Sequence, residues 1–174
     1  RNAPFLYGGP YPFVQTGDVR HATNIIKHYS QTYSEEGLKQ SRLWPKDTLC
    51  ITIAANIADT AILGFDACFP DSIVGFIPEN KNINVNFVEY FIRTVKEDLE
   101  RYAPATAQKN INLEILSHVA VPLPPTEEQY AIVDELEKTL SVAERIEAIV
   151  EKDMRRSDRL RQSILKKAFS GKLV

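Results

Sequence analysis

The stretch from Glu127 to Ser170 contains neither proline nor glycine, and it constrains this chain more than any other feature. Ala, Leu, Glu, Lys, Arg and Ile dominate it, all good or tolerated helix formers, so nothing stops a helix before Gly171. At 1.5 Å per residue, roughly 44 residues make a rod of about 66 Å. That is much longer than a small globular domain needs for packing. Immediately upstream, "VPLPPTEEQ" places Pro122, Pro124 and Pro125 before the rod. Each proline fixes its own φ and pushes the preceding residue toward extended backbone, so the helix cannot run backward through them. Thr126 and Gln129 have the spacing of a capping box. In such a box the Thr126 hydroxyl accepts from the Gln129 N–H, the Gln129 side chain returns to the Thr126 N–H, and the helix starts at about residue 127. Two modules follow, a globular one over 1–125 and a helical one over 126–174.

The rod is a charge dipole. Residues 127–151 hold eight acids against Lys138 and Arg145, a net of −6, and residues 152–174 hold eight bases against Asp153 and Asp158, a net of +6. Acids favour a helix N-terminus and bases its C-terminus, but that preference fades within a turn and cannot account for six excess charges in each half. An antiparallel partner rod of the same kind would set acidic half against basic half. Ile132, Leu136, Leu140, Ala143, Ile146, Val150, Leu160 and Ile164 recur at steps of three and four, interrupted by Ser157, and predict a coiled-coil seam that Phe169 extends. The alternative is a lone helix folded back on its own domain.

The first module reads as α+β with a mixed, mainly antiparallel sheet. "YPFVQTGDV" (11–19) predicts a strand into a turn, "DTLCITIAANIADTAILGFD" (47–66) two strands broken near Ala55 and Asn56, and "SIVGFIP" (72–78) a further strand. Val88, Phe91, Ile92, Val95 and Leu99 have the spacing of one amphipathic helix over 85–102. "INLEILSHVAV" (111–121) predicts a helical turn followed by a strand.

Several chemistries have little to stand on. The glycine-rich phosphate loops, the HExxH and GxSxG motifs and paired CxxC spacings are missing, and His21, His28 and His118 have no metal-site spacing. Cys50 and Cys68 sit in apolar runs and are expected to be buried small hydrophobes. "PDSIVGFIPENK" (70–81) orders Asp71, Glu79 and Lys81 like a Mg²⁺-dependent PD…ExK nuclease site. Its two acids, however, flank a single strand, which at ~3.3 Å per residue holds them about 26 Å apart. No apolar run reaches the roughly 18 residues of a membrane span, and the first twenty residues lack a signal peptide, so the cytoplasm is the expected location. The chain opens on Arg1 and its single methionine is Met154, which raises the expectation of a piece of a longer protein.

The net charge of −2 neither demands nor forbids nucleic acid. Residues 1–48 nevertheless supply Arg1, Arg20, His21, Lys27, His28, Lys39, Arg42 and Lys46, interleaved with Gln15, Asn24, Gln31 and Gln40, side chains of the kind that reach phosphates and base edges. "TAQKN" (106–110) adds Thr106, Gln108, Lys109 and Asn110.

"ATAQKNINLEILSHVAVPLPPTEEQYAIVDELE" followed by "LRQSILKKAFSGKLV" resembles the specificity subunit of type I restriction-modification enzymes. That family ends a target-recognition domain in a Q-x-N/S-I-x-x-x-x-L segment, then a V/I-P-x-P-P-x-x-E-Q hinge and a long helix closing on L-x-x-A-F-x-G-x-L. Gln108, Asn110, Ile111, Leu116, Pro122, Pro124, Pro125, Glu128, Gln129, Leu165, Ala168, Phe169, Gly171 and Leu173 match. The resemblance implies a non-catalytic subunit with two target-recognition domains, each reading half of a split DNA sequence, held apart by antiparallel helices. Its implied partners are double-stranded DNA, methyltransferase (modification) subunits and, through the complex, restriction subunits. S-adenosylmethionine, ATP and Mg²⁺ are then expected in those partner subunits and no cofactor in this chain. With one domain and one rod, the chain is expected to be one half of such a subunit, pairing with a second half or with itself. Phosphate contacts are expected mainly from Lys27, Lys39, Arg42 and Lys109, and base reading from among Gln15, Arg20, Asn56, Thr106 and Gln108. A rival from another class is a coiled-coil adaptor that does not bind DNA.

Overall fold

The strand propensity of "LCIT" and "TAIL" is realised as β4 (Leu49–Thr52) and β5 (Thr60–Leu63), both buried at every residue. These sequences lie in a computed structural model that describes residues 3–102 and 110–172. Around this pair the described residues build a four-stranded sheet in the order β2 (Ile25–Ile26), β5, β4, β6 (Ile73–Phe76). β2 runs parallel to β5, while β4 is antiparallel to both β5 and β6. A second, two-stranded antiparallel sheet joins β1 (Tyr7–Phe13) to β3 (Gln31–Tyr33). The fold is mixed α+β, as expected from the strand pattern.

Strand alternation sends side chains to opposite faces, and the two faces of the sheet feed different clusters. Cys50, Ala61 and Leu63 pack with Val14, Val19, Ile26 and Phe69 on one side. Leu49, Ile51 and Ile62 pack with Val88 and Ile92 of the helix α3 (Val85–Thr94) on the other. Both cysteines are buried and free, and burial pushes the Cys50 thiol up to about 12. Gly75 of β6 has to be a glycine, because a Cβ there would lie 2.7 Å from Trp44 and 2.8 Å from Phe69. Those two rings stack at 4.9 Å.

Four expectations change. The residues after β1 are a helix, α1 (Thr16–His21), and not a turn, because the Asp18 carboxylate accepts from the Gln15 N–H at 2.8 Å and so caps the first turn. Helix 85–102 is two helices, α3 and α4 (Lys96–Tyr102). The Thr94 hydroxyl donates to Phe91 O at 2.7 Å, a local bond that competes with helix continuation at a β-branched pair, Thr94–Val95. The segment 111–121 contains α5 (Leu113–Ser117), capped by Asn112 accepting from Ile115 N–H at 2.9 Å. Val119 and Val121, however, pack on the core as extended chain without joining a strand ladder. Between β3 and β4, a stretch without a clear sequence signal forms α2 (Glu35–Lys39), capped by Ser34.

The fourth change concerns the hinge. The long helix α6 runs Thr126–Phe169, but no capping box starts it. The Thr126 hydroxyl donates to Asn82 O at 3.0 Å. The Gln129 amide, 2% exposed, donates to Pro124 O at 2.8 Å and Asn82 O at 3.3 Å and accepts from Asn84 N–H at 2.9 Å. The buried Asn84 N–H needs a partner more than the solvated first turn does. The amide thereby ties the proline segment to the loop that caps α3. By internal contacts the chain divides into two units, Arg1–Tyr130 and Ala131–Val174.

Candidate nucleic-acid interface

The β4–β5 connection is held in a tight conformation, with Ala55 and Ala58 at φ 68° and 57°. The Thr52 hydroxyl hydrogen-bonds Asn56 O inside the turn, and Ala58 N–H donates to Thr52 O at 2.8 Å. This presents Asn56 toward the end of α1, where Arg20 Nη1 donates to Asn56 Oδ1 at 2.9 Å. Two expected DNA-contacting residues, 36 positions apart in sequence, therefore meet. The same loop reaches the segment after α4, where Ala54 pairs with Asn110 and Ile111 N–H donates to Ile53 O at 2.9 Å. Thr106, Gln108 and Lys109 lie outside the described residues.

Gln15 lines a different concavity of about 680 Å³ between β1, β3, α2 and the turn before β6. Gln31, Gln40, Thr16 and Ser41 face the same space beside Tyr7 and Tyr33. Phe13 and Tyr33 stack at 4.1 Å behind it. Three primary amides around one concave surface are well matched to base edges, since each offers both donor and acceptor.

The remaining expected cations are scattered. Arg42 stacks over Trp44 at 4.2 Å from the ring centroid, which holds an exposed guanidinium in a fixed plane. Lys39 pairs with Glu36 at 2.6 Å on the exposed side of α2, and that hydrogen bond and charge raise its pKa. Lys27 is exposed and lines a third cavity with His21, Asn24 and His28. Sequence reasoning missed Arg93 and Lys96, which extend the basic neighbourhood of Arg20 from the α3–α4 junction. They belonged to the polar side of a helical period, and only the fold brings them next to α1.

Asp71 and Glu79 sit on opposite sides of β6, as one strand between them requires. Among the described residues, no group of three or more His, Cys, Asp or Glu could hold a metal ion.

Along α6 the expected seam residues are all solvent-exposed, from 37% at Ile132 and Leu136 to 90% at Phe169, with Leu140, Ile146, Val150, Leu160 and Ile164 between. Val142, Ile149, Met154 and Leu165 are exposed as well. Met154 fills the step between Val150 and Ser157 and makes the apolar stripe more continuous than the sequence count indicated. Ion pairs such as Arg155–Glu151 at 2.5 Å lie within the helix.

Comparison with known proteins places these features in context. Residues 2–152 match the family model described as the type I restriction modification DNA specificity domain. The specificity subunit of the type I restriction enzyme EcoBI from Escherichia coli is 31% identical over 161 residues, covering 90% of this chain and 33% of that protein. The EcoDI specificity subunit, also from Escherichia coli, is 30% identical over 149 residues, covering 83% of this chain and 33% of its own length. The chain thus spans about a third of the length of the curated relatives it matches. A solved type I R-M system chain superposes with a TM-score of 0.74 at 21% identity, over 99% of this chain and 42% of that one. The HsdS subunit from Thermoanaerobacter tengcongensis gives 0.63 at 22% identity, over 98% and 41%. These two likenesses concern the fold.

Proposed function

The chain belongs to the family of type I restriction modification DNA specificity domains, and from that premise we propose that it is the non-catalytic DNA-reading part of such a system, recognising one half of a split target. The observation that carries this reading is the family match over residues 2–152, which runs across the hinge from the α+β unit into the long helix. In this reading residues 1–125 are the target-recognition domain and residues 126–174 the spacer and docking helix. Gln15, Arg20 and Asn56 read bases together with Thr106 and Gln108, while Lys27, Lys39, Arg42 and Lys109 contact phosphates.

The exposed stripe on α6, with −6 in its first part and +6 in its second, supports an antiparallel partner helix from a second half or a second copy. Methyltransferase subunits dock on that scaffold, bringing S-adenosylmethionine chemistry, and restriction subunits join through the complex with ATP and Mg²⁺. The expected place of work is the cytoplasm, as for a DNA reader; no helix among the described residues is long and apolar enough to cross a membrane.

Titration of duplex DNA with the full chain, alone and mixed with a modification subunit, tests this at several salt concentrations. A DNA reader loses affinity steeply, with a log–log slope of roughly −0.9 per phosphate neutralised. Absence of salt-dependent binding in both mixtures would favour the coiled-coil adaptor.

A further inference from the structure

A cavity of about 290 Å³ opens between the end of α1, the β4–β5 loop and the α3–α4 junction. Arg20, Thr23, Asp59, Thr60, Arg93 and Lys96 line it. Three cations thus face one space, each from a separate helix: Arg20 from α1, Arg93 from α3 and Lys96 from α4. Arg93 is paired with Glu89 and Lys96 with Asp59, so Arg20 supplies the uncompensated positive charge.

These side chains are held in place. Arg20 is braced by the neutral amide of Asn56 at 2.9 Å, a contact that leaves its charge uncompensated. Arg93 is clamped on two sides, by Nε to the fully buried Glu89 carboxylate at 2.6 Å and by Nη2 to Thr23 O at 2.5 Å. Lys96 is paired with Asp59. A preorganised fork of guanidinium donors suits the tetrahedral oxygens of a phosphate and loses little side-chain freedom on binding. The volume is at the lower end of ligand sites, which run from roughly 300 to 1,000 Å³, and the cationic donors in its lining suit an anion.

We propose that this cavity is a phosphate seat that grips a backbone phosphodiester of DNA and so sets the register of the recognition unit. The proposal rests on the DNA-reading function above. It deepens that reading by adding Arg93 and Lys96 to the machinery and by making Arg20 a positioning contact as well as a neighbour of bases. The site borders Asn56 of the β4–β5 loop through the Arg20–Asn56 bond. A phosphate held there lies beside the loop expected to meet bases, and such contacts orient a protein on its duplex without carrying sequence information.

The test compares the full chain with Arg20→Gln, Lys96→Gln and Asp59→Asn in duplex titrations on a target-containing and a scrambled DNA, with thermal melting to check folding. Arg20→Gln and Lys96→Gln are expected to weaken both duplexes alike, by roughly tenfold at low salt, and to reduce the salt slope by about one. Asp59→Asn removes the competing carboxylate and is expected to tighten both by several-fold, an effect opposite in sign to structural damage. Losses confined to the target duplex, or no change in any variant, would overturn the proposal. A parallel titration of inorganic phosphate, followed by NMR in wild type and Arg20→Gln, separates the sources of the anion. Phosphate binding that requires Arg20, with DNA affinity unaltered in all variants, would assign the cavity to a soluble anion and overturn the DNA assignment. If the wild-type chain bound no duplex at all, the broader DNA reading would fail, and the phosphate titration would still judge the cavity by itself.

Discussion

The two units of this chain treat apolar residues in opposite ways. In the Arg1–Tyr130 unit, Leu49, Leu63, Ile62 and Val88 disappear into clusters on both faces of a sheet. In the Ala131–Val174 unit, Leu140, Ile146, Val150, Leu160 and Ile164 stand exposed along one helix. The first unit has already realised its hydrophobic stabilisation within itself. The second has the propensity to be helical, but its stripe gains that stabilisation only when another surface covers it. In the proposed reading, recognition and assembly fall to parts with different energetic requirements.

The sharpest way to break this contrast is a core truncation. Leu49→Ala or Leu63→Ala, each at a fully buried site, should cost about 2–5 kcal/mol in urea unfolding. The matching truncation Ile146→Ala should leave the unfolding of the first unit unchanged. A charged substitution on the stripe, Ile146→Asp with Val150→Asp, should abolish association with a partner helix in sedimentation experiments while the globular melting transition stays put. An unaltered association state would place the partner surface elsewhere.

Gln129→Ala examines the hinge. It strips one buried amide of its bonds to Asn82, Asn84 and Pro124 and leaves Asn84 N–H unpartnered, so a loss of about 1–3 kcal/mol is expected. A loss near zero would mean that solvent replaces the amide at no cost.

A smaller, pH-dependent effect belongs to Glu89. Burial, the largest influence, pushes its carboxyl above the ordinary value of 4.5, and the bonds from Thr60 and Arg93 only partly oppose this. A carboxyl whose folded pKa is raised contributes stability that is complete below its unfolded pKa and is lost as pH rises through the folded pKa. Glu89→Gln should therefore gain on wild type as pH climbs from about 4.5. A stability difference that stayed flat with pH would contradict the raised pKa.

Legibility in the sequence followed the range of the interactions. The long helix was readable because proline, glycine and propensity act locally, and β4, β5 and β6 because their apolar runs were continuous. β2 and β3, of two and three residues, carry too little pattern to be seen and exist because neighbouring strands supply their bonds. The α3–α4 break is hidden by a hydrophobic period that passes smoothly through Val95, where the N–H donates to Ile92 O while the Thr94 hydroxyl donates to Phe91 O. At the hinge the capping spacing marks Gln129, but its actual partners Asn82 and Asn84 lie more than forty positions upstream, beyond the reach of a local motif. The basic cavity was only one third visible. Arg20 stood in a run of bases, whereas Arg93 and Lys96 resembled any solvated helix face until the fold set them beside α1.

The central claim, that this chain gives a methyltransferase its DNA specificity, is tested most directly by mixing it with a modification subunit and S-adenosylmethionine and mapping the methylated positions on genomic DNA. The account predicts a split motif with a fixed gap, palindromic if two copies of this chain pair through α6. Methylation without a defined motif, or no complex and no methylation at all, would contradict it.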